Sequence, residues 1–168
     1  MGMDRRKAQY GLTGVLAKDL TREGVFSSLR KARTFATSGQ RSVLILEING
    51  TFMGDTLHLN GDDRRLTASV KAWTCDEIER LDVLCNGTVI ESRELGGRNL
   101  EAAYEIGHAP GIGRGLDNAD DRSVDGSPDK GVDSGALNTK HFVYVRIREK
   151  SGKMAWTSPV LIQGPGSR

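Results

Sequence analysis

Only two of the 168 residues are cysteine, four are proline, and aromatics amount to 5%. Two cysteines, Cys75 and Cys85, are too few for a disulfide scaffold or a structural zinc site built from thiolates. No uninterrupted apolar run is long enough to cross a bilayer as a helix. The start, Met1-Gly2-Met3-Asp4-Arg5-Arg6-Lys7, is basic, but no apolar segment follows it. It therefore lacks the pattern of a secretion signal; the compartment stays open, with the cytoplasm as the default, and no membrane partner is expected. Histidine is scarce too. His58, His108 and His141 are not spaced at i+2 or i+4 from one another, and they fall on separate predicted elements. That spacing does not build a catalytic zinc site. No Gly-x-Ser-x-Gly elbow is present for nucleophilic catalysis.

What is abundant is glycine, 21 residues, together with charge, at 27%. The formal net charge is +2, which by itself implies no polyanionic partner. Its distribution is uneven. Residues 1–41 carry nine Lys/Arg against three acids, and residues 115–137 carry six aspartates against Arg122 and Lys130. A basic stretch can face phosphate or nucleic acid. Here the few aromatic residues make no interleaved pattern that suggests base stacking, so the reading is the solvated face of a helix, with no nucleic-acid partner.

Periodicity divides the chain. Leu12–Ala17 is a short apolar run, a buried strand. Asp19 and Thr21 offer helix caps, and Glu23 falls in the first turn, where the helix dipole favours an acid. Val25, Phe26, Leu29 and Ala32 share one face at helical spacing, which predicts a helix from about Thr21 to Thr34. From Arg41 onward the period becomes two. Ser42–Ile48 and Leu66–Ala72 read as strands. Arg80–Cys85 and Thr88–Ser92 flank Asn86-Gly87, a strong hairpin signal because a type I′ turn needs positive φ at both central residues. His141–Arg148 and Met154–Ile162 flank a second turn at Lys150-Ser151-Gly152. The predicted fold is mainly β, an immunoglobulin- or fibronectin-like antiparallel sandwich of about six to eight strands over 42–163. One strand–helix unit precedes it over 1–41, and 164–168 form a tail. Both cysteines fall in predicted sheet, as small packing residues. Trp73 and Trp156 are either core anchors or a sugar platform.

Residues 107–139 interrupt the strands. The run Gly111-Ile112-Gly113-Arg114-Gly115 lacks a strand before it and a helix after it, and the aspartates that follow would repel phosphate. Asp117, Asp120, Asp121 and Asp125 offer the oxygen ligands calcium prefers, but their spacing is not that of a calcium-binding loop; the alternative is a solvated loop.

Three runs carry a family resemblance. Gly11-Leu12-Thr13-Gly14-Val15, then Leu20-Thr21-Arg22-Glu23, then Lys31-Ala32-Arg33-Thr34-Phe35-Ala36-Thr37-Ser38-Gly39 form the first. Asn49-Gly50 with Met53-Gly54 is the second, and Ala155-Trp156-Thr157-Ser158-Pro159-Val160 the third; Leu84-Cys85-Asn86-Gly87 adds a hairpin between them. Together, and in this order, they resemble the C-terminal part of PHP-superfamily metallohydrolases (polymerase and histidinol phosphatase type), in the branch that includes carbaryl hydrolases. The resemblance implies that residues 1–41 are a remnant of the catalytic α/β barrel. It also implies a parent enzyme that uses two or three divalent metals (Zn, Mn or Fe). The family's metal ligands, His-x-His pairs and a late Asp-x-His among them, have no counterpart here. No metal ligand or catalytic residue is carried over, and no cofactor is expected for this chain alone. Arg22, Arg33, Thr37 and Arg41 are the candidate substrate-side contacts; the alternative is that Arg22 and Arg33 solvate the helix surface. The expected partner is a catalytic barrel in cis or in trans, or a second copy meeting through the strand–helix arm.

Overall fold

The computed structural model describes residues 11–59, 65–106 and 141–164. They form two sheets packed face to face, one antiparallel and the larger one antiparallel but for a single pairing, with one helix. The arm comes first: β1 (Leu12–Val15), α1 (Arg22–Arg30) and β2 (Thr34–Thr37). The sandwich strands follow: β3 (Val43–Ile48), β4 (Thr51–Phe52), β5 (Thr56–His58), β6 (Thr67–Trp73), β7 (Ile78–Cys85), β8 (Thr88–Glu94), β9 (Asn99–Glu105), β10 (His141–Glu149), β11 (Met154–Thr157) and β12 (Val160–Gln163).

The smaller sheet runs β4-β3-β6-β9. In the larger sheet β10 is central. It pairs with β7 on one side, and β7 with β8. On its other side it pairs with β11 along one half and β12 along the other. Ser158-Pro159 separates those two strands, because proline has no N–H to give the ladder. The run expected to be one strand over Met154–Ile162 is therefore two. β11 continues to β2, and β2 to β1. β5 joins β12 in the one parallel pairing among the described residues.

The alternation seen in the sequence becomes the core. Leu44, Leu46 and Ile48 of β3 face Ala68, Val70 and Ala72 of β6 within the small sheet. Leu81 and Val83 of β7 and Val143, Val145 and Ile147 of β10 supply the opposing layer, all fully buried or nearly so. Neither tryptophan belongs to this core. Trp73 stands on the outer face of the small sheet, 47% exposed, and Trp156 is half-buried on the larger. Cys85 packs in the core as expected, but Cys75 is exposed in the β6–β7 connection and lies outside any strand.

The arm departs from its sequence reading in two ways. The helix ends at Arg30 rather than Thr34, because Thr34–Thr37 is taken up as a strand by β11. β1 and β2 run antiparallel, whereas barrel crossover helices join parallel strands. Residues 12–37 are thus hydrogen-bonded into the larger sheet of the sandwich rather than standing apart from it.

Candidate functional site

The arm is fixed by its two ends. At the N-terminus of α1 the Thr21 hydroxyl oxygen accepts from the Gly24 amide at 3.0 Å, and Asp19 accepts from both the amide and the hydroxyl of Thr21. Those bonds stabilise the ionised carboxyl, so the Asp19 pKa is lowered from its ordinary value. At the C-terminus the Ala32 amide donates to Leu29 O at 3.0 Å and the Arg33 amide to Ser28 O at 2.9 Å. Ala32 turns the chain with φ of +49°, a position where helices usually place glycine.

Just past that turn the three runs of the family resemblance meet. Gly54 (φ +92°) lies so close to the Lys31 carbonyl oxygen that a Cβ there would overlap it. The Gly54 amide donates to Pro159 O at 2.8 Å. Arg33 pairs with Asp55 at 3.2 Å, and its guanidinium sits 5.2 Å from the centre of the Phe52 ring. The hydroxyls of Thr34 and Ser158 are 2.8 Å apart, and the Ser158 amide donates to Thr34 O. On the inner side of the arm the Phe35 ring lies flush on Gly14, leaving no room for a side chain. Met53 is fully buried beneath this junction. Residues from positions 31–35, 52–55 and 158–159 thus form one clamp that holds the arm on the sandwich.

The four candidate substrate-side residues do not converge. Arg22 is exposed on α1, its guanidinium 5.7 Å from the Phe26 ring centre. Arg33 belongs to the clamp. Thr37 is buried, and its hydroxyl donates to Gln40 O at 2.7 Å, closing the β2–β3 turn. Arg41 is exposed in that turn. Arg33 and Thr37 bracket β2, roughly 13 Å apart by strand rise. A shallow groove of about 450 Å3 runs beside α1, lined by Arg22, Glu23, Phe26, Ser27, Arg30 and Lys31. Among the described residues no three His, Cys, Asp or Glu side chains stand close enough to hold a metal. His108, the glycine run 111–115 and the aspartates Asp117, Asp120, Asp121 and Asp125 lie outside the described residues.

Three polar groups are buried with partners that the sequence pattern did not anticipate. Asp82 of β7 points away from the core yet is 2% exposed, covered by Arg146 (2.6 and 3.0 Å), Arg80 (3.1 Å) and the Ser92 hydroxyl (2.7 Å). Burial alone would raise its pKa, but the hydrogen bonds from Arg146 and Ser92 and the charges of Arg80 and Arg146 outweigh it, and the pKa is lowered. Glu149 ends the inward row of β10. One oxygen accepts from the Ser42 hydroxyl at 2.6 Å and from Gln40 at 3.4 Å; the other has no protein partner among the described residues. His141 begins the same row, hydrogen-bonded to Asn86. The sequence pattern places Asp82 and His141 in strands and ends the later strand at Arg148, one residue short of Glu149; which neighbours cover each of them is set by packing between strands.

No protein-family model matches the chain, and no solved structure matches it. It is similar to uncharacterized proteins of three chlamydial species: 25% identical over 164 residues to one of Chlamydia muridarum, 24% over 165 residues to one of Chlamydia trachomatis, and 24% over 169 residues to one of Chlamydia pneumoniae. Each match takes in 95% of this chain and 24% of the relative. The chain spans about a quarter of the length of the curated relatives it matches.

Proposed function

We propose that this chain is a non-catalytic β-sandwich unit that supports the catalytic part of a PHP-type metal-dependent hydrolase. The observation that carries the reading is the clamp. The residues that make the chain resemble that family are spent on seating the arm: Gly54 against Lys31, Thr34 on Ser158, Arg33 on Asp55 and Phe52. They have packing duties, the duties of a supporting unit. The far greater length of the chlamydial relatives is in keeping with such a unit. The resemblance to the hydrolase family supplies the rest, and with it divalent metals bound by the barrel.

The sandwich is also read as immunoglobulin- or fibronectin-like. What supports this reading is the order β3-β6-β9 in one sheet and β8-β7-β10-β11 in the other, which can be taken as A-B-E and C′-C-F-G, with β4, β1, β2, β5 and β12 as additions.

The test is elemental analysis of the purified chain after dialysis against manganese and zinc, with hydrolysis of phosphate and carboxylate esters measured in parallel. The expected result is less than about a tenth of an equivalent of metal and no turnover. One tightly held ion per chain, or turnover, overturns the reading.

A second reading is a stand-alone binding module that self-associates through the arm. The exposure of Phe26 and Leu29 favours it, and sedimentation equilibrium distinguishes it by a dimer.

A further inference from the structure

Helix α1 turns the wrong side outward. Helical spacing groups Val25, Phe26, Leu29 and Ala32 as the face to bury, yet only Val25 among them is even half-buried, and the helix residue most enclosed is Ser28. Phe26 and Leu29 are 49% and 44% exposed, and Leu20, one residue before the cap, is 98% exposed. Other large apolar side chains are exposed singly on the strands, Trp73 and Val89 among them; apolar residues grouped on one helix face point to a contact surface as single ones do not.

Charge selects the occupant. Arg22 and Arg30 stand four residues either side of Phe26, and Lys31 follows; among the described residues no ion pair engages any of the three. Glu23 is the one acid of the helix. A second copy packed antiparallel about Phe26 would bring Arg22 of each copy beside Arg30 of the other, and like charges in contact are disfavoured. Arg22 already covers one side of the Phe26 ring, leaving its outer N–H groups to meet a carboxylate, the planar acceptor that a guanidinium fork fits.

We propose that the outer face of α1 docks a protein segment on which acidic side chains flank aliphatic ones. In the longer chlamydial relatives such a segment would come from the polypeptide outside the matched quarter. This deepens the reading of the chain as a supporting unit and rests on it. Phe26 and Leu29 enter the aliphatic row, while Arg22, Arg30 and Lys31 take the carboxylates at the rim and set orientation.

The probe is a pair of fluorescein-labelled amphipathic helical peptides with the same leucine spacing, one with glutamate at the polar positions and one with lysine. Fluorescence anisotropy is read against the purified chain. The glutamate peptide is expected to bind at least about tenfold more tightly than the lysine peptide. Phe26→Ser should abolish that binding, and the double substitution Arg22→Glu, Arg30→Glu should invert the preference. All three sites are exposed, so circular dichroism and the melting temperature should stay as in the parent chain. Equal binding of the two peptides, or none, overturns the proposal. So does a dimer that Phe26→Ser disperses, which makes the occupant a second copy. Capture by phosphatidylglycerol vesicles lost in Phe26→Ser overturns it in favour of a lipid surface. Any of these can occur while the chain stays free of metal and turnover, so the docking proposal can fail without the supporting-unit reading failing with it.

Discussion

Gly54 packs its α-carbon against the carbonyl oxygen of Lys31, so the turn between β4 and β5 serves as the seat for the end of helix α1. The same residue has a positive φ and donates its amide to Pro159. Gly50, four residues earlier, shares the positive φ (+77°) but has open space where a side chain would go.

The two glycines therefore separate strain from collision. Gly50→Ala should cost about 1 kcal/mol, the usual penalty of a left-handed conformation. Gly54→Ala adds overlap with backbone that cannot yield without lifting the helix, and should cost about 3 kcal/mol. Urea denaturation midpoints of the two variants check this. Equal losses would mean that the helix end is not seated on Gly54.

Arg33 is a structural residue in a visible place. Its ion pair with Asp55 is about a third exposed on one side and more on the other. A double-mutant cycle of Arg33→Ala and Asp55→Ala should give a coupling of less than about 1 kcal/mol. Arg33→Ala alone should cost more than Asp55→Ala, because it also uncovers the Phe52 ring.

Asp82 ties stability to acid. Its folded pKa lies below its unfolded one, so the unfolded chain takes up a proton first as pH falls. The contribution is fully present above the unfolded value, about 3.9, and is lost as pH drops through the lower folded value. At neutral pH, Asp82→Asn should cost about 2–3 kcal/mol, since it leaves Arg146 and Arg80 facing a neutral amide under poor solvation. Denaturation curves between neutral and strongly acidic pH should show the two proteins converging as the carboxylate is titrated. A gap that persists unchanged in acid would mean the aspartate acts by packing rather than by charge.

Asn86 fixes a tautomer. The Phe142 amide can only donate, so the Asn86 atom it meets at 3.0 Å is the carbonyl oxygen. The amide nitrogen of Asn86 then faces His141 Nδ1 at 2.8 Å, and Nδ1 must accept. The proton of neutral His141 sits on Nε2. Nitrogen chemical shifts of His141 should show an unprotonated Nδ1 in the parent chain. In Asn86→Asp, which tolerates the same positive φ, Nδ1 should become the donor and its shift should move accordingly.

Strand alternation made most of the sandwich legible. β3, β6, β7, β8 and β10 lie within two residues of their expected ends, and Asn86-Gly87 turns with φ of +51° and +84° as a type I′ hairpin demands. Helix periodicity marked the helix, which the structure forms over Arg22–Arg30. Spacing shows which side chains share a side, not whether anything covers that side, and here Phe26 and Leu29 are left in solvent. The final turn of the predicted helix was lost for a non-local reason: Thr34–Thr37 finds a ladder partner more than a hundred residues away in β11. The clamp was half legible. The motif residues could be marked one by one, but their meeting depends on chain crossings that no local pattern encodes.

The pairing of β2 with β11 also sets a timetable. During synthesis Thr34–Thr37 leaves the ribosome long before Met154–Thr157 exists, and its outward hydrogen-bonding edge must wait. Closing a loop of that length makes for slow folding. For that interval an early strand travels without its mate and can join another nascent copy instead. The β2–β11 ladder is among the last parts of the fold to be built, so yield on expression should respond to chaperone supply more than the short, regular hairpins of the sandwich would suggest.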